Sequence, residues 1–234
     1  MLKINFTKMV ASGNDFVVID KLQAISYKLQ TLARILCDRK YGIGADGLLI
    51  LEKSKGADIR MRIFNSDGSE AQMCGNGARC AALYKGRKSI KIITKAGIVA
   101  AQLNGDNIKI KLTDPKDLKL NFPLRVSGRV IRVNFINTGV PHAVIFVEGL
   151  GRINVVRIGR EIRQDKKFAP GGTNVNFIEI LAQNLLKIRT YERGVEDETL
   201  ACGTGSAASS LIAYRLSLIK KPVKVLTRSG ENAV

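Results

Sequence analysis

The stretch Met73–Ala81, M-C-G-N-G-A-R-C-A, returns as Ala201–Ser209, A-C-G-T-G-S-A-A-S. Each copy is a cysteine followed by Gly-x-Gly and a run of small helix formers. The pattern reads as a loop whose glycines turn tightly into the first turn of a helix. Backbone N–H groups without intrahelical partners and the positive end of the helix dipole converge at such a place. A thiol held there can ionise well below its ordinary pKa of about 8.5. One such cysteine is a candidate nucleophile, whereas a matched pair suggests two acid/base groups.

The duplication extends beyond these loops. Ser12–Ile19 (S-G-N-D-F-V-V-I) finds an echo in Thr138–Ile145 (T-G-V-P-H-A-V-I), and Ser89–Gly97 (S-I-K-I-I-T-K-A-G) in Pro222–Gly230 (P-V-K-V-L-T-R-S-G). Three matched segments in the same order predict two similar halves, residues 1–114 carrying Cys74 and 115–234 carrying Cys202. The cleft between the halves is where the two thiols would face each other.

A chain of 234 residues, 45% apolar, has enough material for one large or two small buried cores. No apolar run reaches the roughly 18 residues a membrane-spanning helix needs, and Met1–Phe6 has no signal-peptide pattern. A cytoplasmic protein without a membrane partner is expected. Four cysteines are too few for a disulfide scaffold. Their spacing fits no zinc pattern, and a lone histidine supplies a metal site poorly, so no metal is expected. Cys37 and Cys80 fall in apolar helical patterns and read as inert buried thiols. The net charge of +18 is spread along the chain, with five tyrosines, eight phenylalanines and no tryptophan. Nucleic-acid binding would be better supported by a concentrated basic face with stacking aromatics. A solubilising, heat-adapted surface is the plainer reading. A homodimer is one assembly open to such a chain.

In order, the pattern predicts a strand at residues 2–8, another at Phe16–Ile19, a helix at Ser26–Cys37, and strands Leu48–Leu51 and Ile59–Phe64. After Cys74 a helix ends near Gly86. Strands Ile90–Thr94, Ile98–Leu103 and Ile108–Leu112 follow, the last two joined at Asn104-Gly105. Thr113–Phe122 has no clear periodicity and reads as the crossover between halves. The second half repeats the plan with strands Arg129–Ile136 and Ala143–Val147, helix Val155–Arg163, strands Val175–Leu181 and Lys187–Glu192, and the helix after Cys202. Gly230 aligns with Gly97, so the hairpin that ends the first half has no counterpart. Truncation is the expected cause, since the loss would leave a sheet edge exposed. Asp67–Glu70 and Glu196–Glu198 follow loop patterns, and most of these acids read as solvated.

The stretches G-N-D-F-V-V-I-D, F-N-S-D-G-S-E-A-Q-M-C-G-N-G-A-R-C, G-G-T-N-V-N-F and Y-E-R-G-V-E-D-E-T-L-A-C-G-T-G resemble those of the diaminopimelate epimerases, cofactor-independent amino-acid epimerases. The resemblance runs from about residue 3 to 230. It implies an α/β (α+β) fold of two pseudo-symmetric domains, each a mostly antiparallel sheet or barrel around a central helix. It also implies interconversion of L,L- and meso-diaminopimelate for lysine biosynthesis. Inverting an α-carbon requires removing a proton from one face and supplying one to the other, which a thiolate and a thiol accomplish. The resemblance makes Cys74 and Cys202 that pair. Backbone N–H groups at Gly75-Asn76 and Gly203-Thr204 would hold the α-carboxylate. Asn14, Asn65, Asn174, Glu192 and Arg193 would read the distal end, where a fork of donors suits a carboxylate. Beside glycines, the asparagines also suit ordinary turns. His142 would stand behind the first cysteine as a supporting group. Many relatives carry Asn where this chain has Val140 in G-V-P-H, which puts one distal contact in question. The sequence keeps open a proline or hydroxyproline racemase-like enzyme, although Y-E-R and G-T-N argue for a substrate with a distal carboxylate. A redox protein using the two cysteines as a reversible disulfide also stays open.

Overall fold

The computed structural model describes residues 4–20, 28–105 and 107–233, the side chains of 231–233 excepted. The chain divides into two compact units, Met1–Thr113 and Asp114–Val234.

In unit 1, β1 (Thr7–Ala11) and β2 (Asn14–Asp20) form a hairpin closed by Ser12 and Gly13. Both turn residues have positive φ, 51° and 76°, the backbone of a two-residue turn that matches strand twist. The helix α1 (Leu29–Cys37), the strands β3 (Gly47–Glu52), β4 (Ile59–Asn65) and β5 (Glu70–Ala71), and the helix α2 (Gly75–Lys85) follow. The strands β6 (Ser89–Thr94), β7 (Gly97–Asn104) and β8 (Asn107–Lys111) complete the unit. The sheet order is β1-β2-β3-β4-β6-β7-β8, with β5 paired to β4. Among the described residues of this unit, only β2–β3 and β4–β6 run parallel. The helix α2 packs against β1, β2, β7 and β8, so the sheet curls round it until both edge strands meet the same helix. Its buried residues Gly75, Asn76, Gly77, Ala78, Cys80, Ala81 and Ala82 cover nearly its whole circumference, which only small side chains permit at that closeness. On the sheet's other side, Leu32, Ala33 and Cys37 of α1 join Val17, Ile19, Leu48, Ile50 and Phe64 in one core. Strands covered on both faces need apolar residues at successive positions, which is why β2 and β3 read V-V-I and L-L-I-L.

Unit 2 repeats the plan. The strands β9 (Lys116–Val126), β10 (Arg129–Asn137) and β11 (Pro141–Phe146) precede α3 (Val155–Arg163). Then come β12 (Asn174–Ala182), β13 (Leu185–Glu192), β14 (Asp197–Thr199), α4 (Gly203–Arg215), β15 (Lys224–Thr227) and β16 (Gly230–Ala233). The order is β16-β15-β13-β12-β11-β10-β9, with β14 on β13. One core, with Ala143, Ile145, Val175 and Phe177, faces α3. The other, with Val144 and Ile178, packs on Ala208, Ile212 and Ala213 of α4.

Four expectations need correction. The first described strand is β1 at Thr7–Ala11, not 2–8, and residues 1–3 lie outside the described set, as do 26–27 of the expected first helix. Asn104 pairs with Asn107, so Asn104 belongs to the strand ladder rather than to a turn at Asn104-Gly105. The supposed crossover Thr113–Phe122 is largely β9, an edge strand. Its register on β10 slips twice, between Val133 and Phe135 and between Phe135 and Asn137, and Asp117 and Asn121 take positive φ there. Each slip is a bulge that resets the alternation of side chains, which erases the period a strand would show. Finally, β16 pairs antiparallel with β15 from Thr227↔Gly230 to Lys224↔Ala233. The first strand of the hairpin expected to lack a counterpart therefore has one.

Candidate active site

Both duplicated cysteines are N-caps. Cys74 has extended backbone (φ −142°, ψ 120°) and its Sγ accepts the Gly77 N–H at 3.4 Å. Cys202 (φ −129°, ψ 107°) accepts the Gly205 N–H at 3.4 Å in the same way. Each sulfur thus sits where the helix presents its unpartnered N–H groups. The glycines do not provide the turn expected of them, since neither Gly77 nor Gly205 has a left-handed φ. They provide closeness. A Cβ on Gly77 would lie 3.1 Å from Leu49 Cδ2, and one on Gly205 would lie 2.4 Å from Asn176 Oδ1.

Around Cys74, Asn14 stands at the start of β2. Its Nδ2 donates to Asp46 Oδ2 at 2.7 Å, which leaves Oδ1 facing the Cys74 thiol at 3.7 Å. Asp46 is fixed in turn by Arg39, which also grips Asp15 through two nitrogens. Burial alone would raise the Asp15 pKa, but hydrogen bonds from Arg39 and Lys8 outweigh it and hold this carboxyl well below the usual range. Sequence reasoning passed over Asp46, although its place before the glycine of β3 in G-A-D-G was visible. Asn76 is buried and its Oδ1 accepts from Arg79 at 2.9 Å. Burial lowers the Arg79 pKa, partly offset by the neighbouring Cys74 and Cys80. Asn65 closes the turn after β4, its Nδ2 donating to Ser69 Oγ at 3.0 Å. Burial pushes the Cys37 and Cys80 thiols up to about 11 and about 12, as inert thiols require.

In unit 2, Asn174 is occupied on both sides. Its Oδ1 accepts the Arg193 N–H at 2.9 Å and its Nδ2 donates to the Pro141 carbonyl at 3.0 Å. It therefore ties the start of β11 to the Glu192-Arg193 turn. The half-buried Arg193 guanidinium bonds the Gly171 carbonyl at 3.1 Å, and among the described residues no carboxylate pairs with it. Burial, then the Arg163 charge, lower its pKa. Glu196, bonded to Arg163, offsets this in part, and what is left is a desolvated cation without a hydrogen-bonded carboxylate, where an anion can bind. His142 is fully buried between Thr204 Oγ1 (2.9 Å) and Asn176 Nδ2 (3.0 Å). Within this unit it stands behind Cys202, since Thr204 Oγ1 is 3.4 Å from the Cys202 sulfur. Burial, with the Arg193 charge, drops the His142 pKa to about 3.

The acids expected to be mostly solvated are largely engaged. Glu198, with 9% of its side chain exposed, takes a forked pair from Arg189 at 2.7 Å. Glu196 accepts from Arg163 and Tyr191, and Glu70 binds Arg62 and Lys95. These contacts fix the loops that lead into each cysteine.

The sequence model of the diaminopimelate epimerase family matches residues 6–118 and 134–234. The chain belongs to the diaminopimelate epimerase family. It is 44% identical to the diaminopimelate epimerase of Aquifex aeolicus (strain VF5), over 97% of this chain and 88% of that one. With the diaminopimelate epimerase of Methanocella arvoryzae the identity is 43%, over 99% and 89%. Among solved structures it resembles a probable proline racemase from Agrobacterium radiobacter K84 (TM-score 0.78, 16% identity, 98% of this chain and 83% of that one). It also resembles a hydroxyproline epimerase from Agrobacterium vitis (TM-score 0.72, 18% identity, 96% and 81%). These structural likenesses establish the fold, two curled sheets each with a central helix. The family is decided by the far closer relatives. The stretch that the family model skips, 119–133, holds most of β9 and the start of β10. Among the described residues no helix is long and apolar enough to cross a membrane.

Proposed function

We propose that the chain interconverts L,L- and meso-diaminopimelate, one cysteine acting as thiolate base and the other as thiol acid. The observation that carries this reading is the duplicated N-cap geometry in a member of this family. Cys74 and Cys202 occupy equivalent places, each with a backbone N–H on its sulfur. A thiolate removes the α-proton from one face while a thiol delivers a proton to the other, and the roles exchange with direction. The N–H groups of Gly75, Asn76, Gly203 and Thr204 take the α-carboxylate, whose charge grows as the proton leaves. Arg193, with no ion-paired carboxylate among the described residues, takes the distal carboxylate. Glu192, Asn14 and Asn65 contact the distal end, and Asn174 acts by holding Arg193. His142 supports a cysteine from behind. Two thiols supply both proton transfers, so the reading invokes no pyridoxal phosphate and no metal. A cytoplasmic enzyme acting on a free small molecule fits it, and a homodimer is an assembly that sedimentation would check.

The test is to incubate reduced protein with L,L-diaminopimelate and resolve the stereoisomers. Appearance of the meso form, with proline and hydroxyproline untouched, is expected. A folded, reduced sample that leaves diaminopimelate unchanged, or racemises proline instead, overturns the reading.

A further inference from the structure

Unit 2 buries a chain of polar side chains whose hydrogen-bond directions follow from one another as far as Thr204. Asn176 contacts the Ala143 carbonyl at 3.1 Å. A carbonyl only accepts, so the atom facing it is the amide nitrogen. The same nitrogen faces His142 Nδ1 at 3.0 Å, and Nδ1 must therefore be the unprotonated nitrogen of the ring. An imidazolium would set two donors against each other there. The ring proton lies on Nε2 and is donated to Thr204 Oγ1 at 2.9 Å. Thr204 keeps its own hydroxyl proton, and the Cys202 sulfur lies 3.4 Å from Oγ1, a contact in which either atom can donate. At the far end Asn176 Oδ1, an acceptor only, takes the Thr190 hydroxyl at 3.0 Å. Every donor from Thr190 through Asn176 to His142 is accounted for, and the Thr204 hydroxyl at the end of the chain stands beside sulfur.

Unit 1 shows that the fold does not require this chain. The internal repeat aligns His142 with Phe16 and Thr204 with Asn76. The parallel strands pair alike, Phe16↔Gly47 in one unit and His142↔Asn174 in the other. Asn176 therefore corresponds to Leu49, and Thr190, its partner across the sheet, to Ile63. Leu49 is the residue against Gly77, as Asn176 is the residue against Gly205. Asn76 turns to Arg79 instead of to sulfur. Where unit 1 packs Ile63, Leu49 and Phe16, unit 2 has Thr190, Asn176 and His142 at the same places, all fully satisfied. Packing alone was available, and unit 2 has a directed hydrogen-bond chain in its place.

We propose that Thr190, Asn176 and His142 are positioning residues that hold the Thr204 hydroxyl as a permanent donor to Cys202, so that this sulfur rests as thiolate. The inference rests on the two-cysteine reading for its purpose but not for its test. With Nε2–H given to Thr204, the neutral ring acts as a fixed link and moves no proton. Of the charged groups on the strands packed against α4, Arg132 bonds the Asn121 carbonyl, Glu179 the Gly149 N–H and Arg189 Glu198; Arg129 and Lys187 are exposed, and Glu192, which ends β13, has an interaction of its own. Arg193 is the one that acts on His142 through its charge.

The experiment measures the pH dependence of iodoacetamide alkylation at Cys202 and Cys74 separately, by peptide mass spectrometry, in wild type, Thr204→Val, Thr204→Ser, Asn176→Leu and Thr190→Val. In Thr204→Val and Asn176→Leu the Cys202 midpoint should rise by about one pH unit. That is a tenfold loss of thiolate below the midpoint, about 1.4 kcal/mol. Thr190→Val should rise in the same direction by less, Thr204→Ser should track wild type, and Cys74 should not move. Should the buried Asn176→Leu change prevent folding, the near-isosteric Thr190→Val reads the same chain. An unmoved Cys202 midpoint in folded Thr204→Val and Thr190→Val overturns the proposal. So does an equal shift at both cysteines, which a general loosening would give. Because alkylation needs no substrate, a failure of the epimerase reading would leave this result standing and distinguishable.

Discussion

The duplicated motif offers a paired perturbation, alanine at Gly77 and at Gly205. By helix propensity alone both changes are favourable, by up to about 1 kcal/mol. Their surroundings differ. At Gly77 the new methyl meets Leu49 Cδ2 at 3.1 Å, the end of a flexible apolar side chain that can turn aside. The sum should stay within about 1 kcal/mol of wild type. At Gly205 it meets Asn176 Oδ1 at 2.4 Å, and Asn176 is held by Thr190, His142 and Ala143 together. The amide has to move and cannot do so without breaking its bonds. Overpacking costs about 1–3 kcal/mol and each buried hydrogen bond lost about 1. Less the propensity gain, Gly205→Ala should lose about 2 kcal/mol. In urea, with a slope of about 3 kcal/mol per molar, the midpoint should fall by roughly 0.7 M. Circular dichroism would give the midpoint, and hydrogen exchange across α4 would place the loss. If Gly205→Ala unfolds at the same urea concentration as Gly77→Ala, Asn176 is not rigidly held and the reasoning is refuted.

Other consequences follow from single contacts. His142 is buried neutral, its pKa dropped from 6.5 to about 3, so the unfolded chain binds this proton at a higher pH than the folded one. Stability should fall as pH drops from 6.5 towards 5, with a limiting slope of about 1.4 kcal/mol per unit. His142→Gln should remove that part of the slope in a pH series of unfolding curves, and an unchanged slope would place the titration elsewhere. Glu198→Gln takes the charge from a nearly buried fork to Arg189, which keeps a fifth of its own exposure. After allowance for that screening, a loss of about 2 kcal/mol is expected, and a change under about 0.5 kcal/mol in thermal unfolding would contradict it. Arg193→Gln should lower kcat/KM for diaminopimelate by about 100-fold, about 2.7 kcal/mol. A change of less than threefold would remove Arg193 from substrate recognition.

Much of this architecture was readable because the repeat is written in residues whose spacing has a direct mechanical meaning. A cysteine before Gly-x-Gly and a run of alanines can only be the start of a closely packed helix, and α2 and α4 begin there. The helix Val155–Arg163 was placed with the bounds it has, although its Asn154 cap, which accepts the Arg157 N–H, was not singled out. β9 was not, because two bulges interrupt its period and its outer residues face solvent. The engagement of Glu196 and Glu198 was hidden because their partners Arg163 and Arg189 come from other elements. Asn176 and Thr190 were hidden for a related reason. In sequence they are ordinary alternating strand residues, and only the register Asn176↔Thr190, with β12 beside β11, brings them to His142. The apolar counterparts in unit 1 were in plain view but carry no signal until the register matches them.

The most direct test of two-base catalysis is where deuterium goes at low conversion. L,L- and meso-diaminopimelate would be incubated separately in D₂O with reduced protein, and product and recovered substrate examined by mass spectrometry. With two thiols, the base that takes the substrate proton is not the acid that delivers the new one. Product should therefore carry solvent deuterium at one α-carbon while recovered substrate stays unlabelled, from either direction. Equal labelling of recovered substrate and product would mean one base serving both faces, and would contradict the roles given to Cys74 and Cys202.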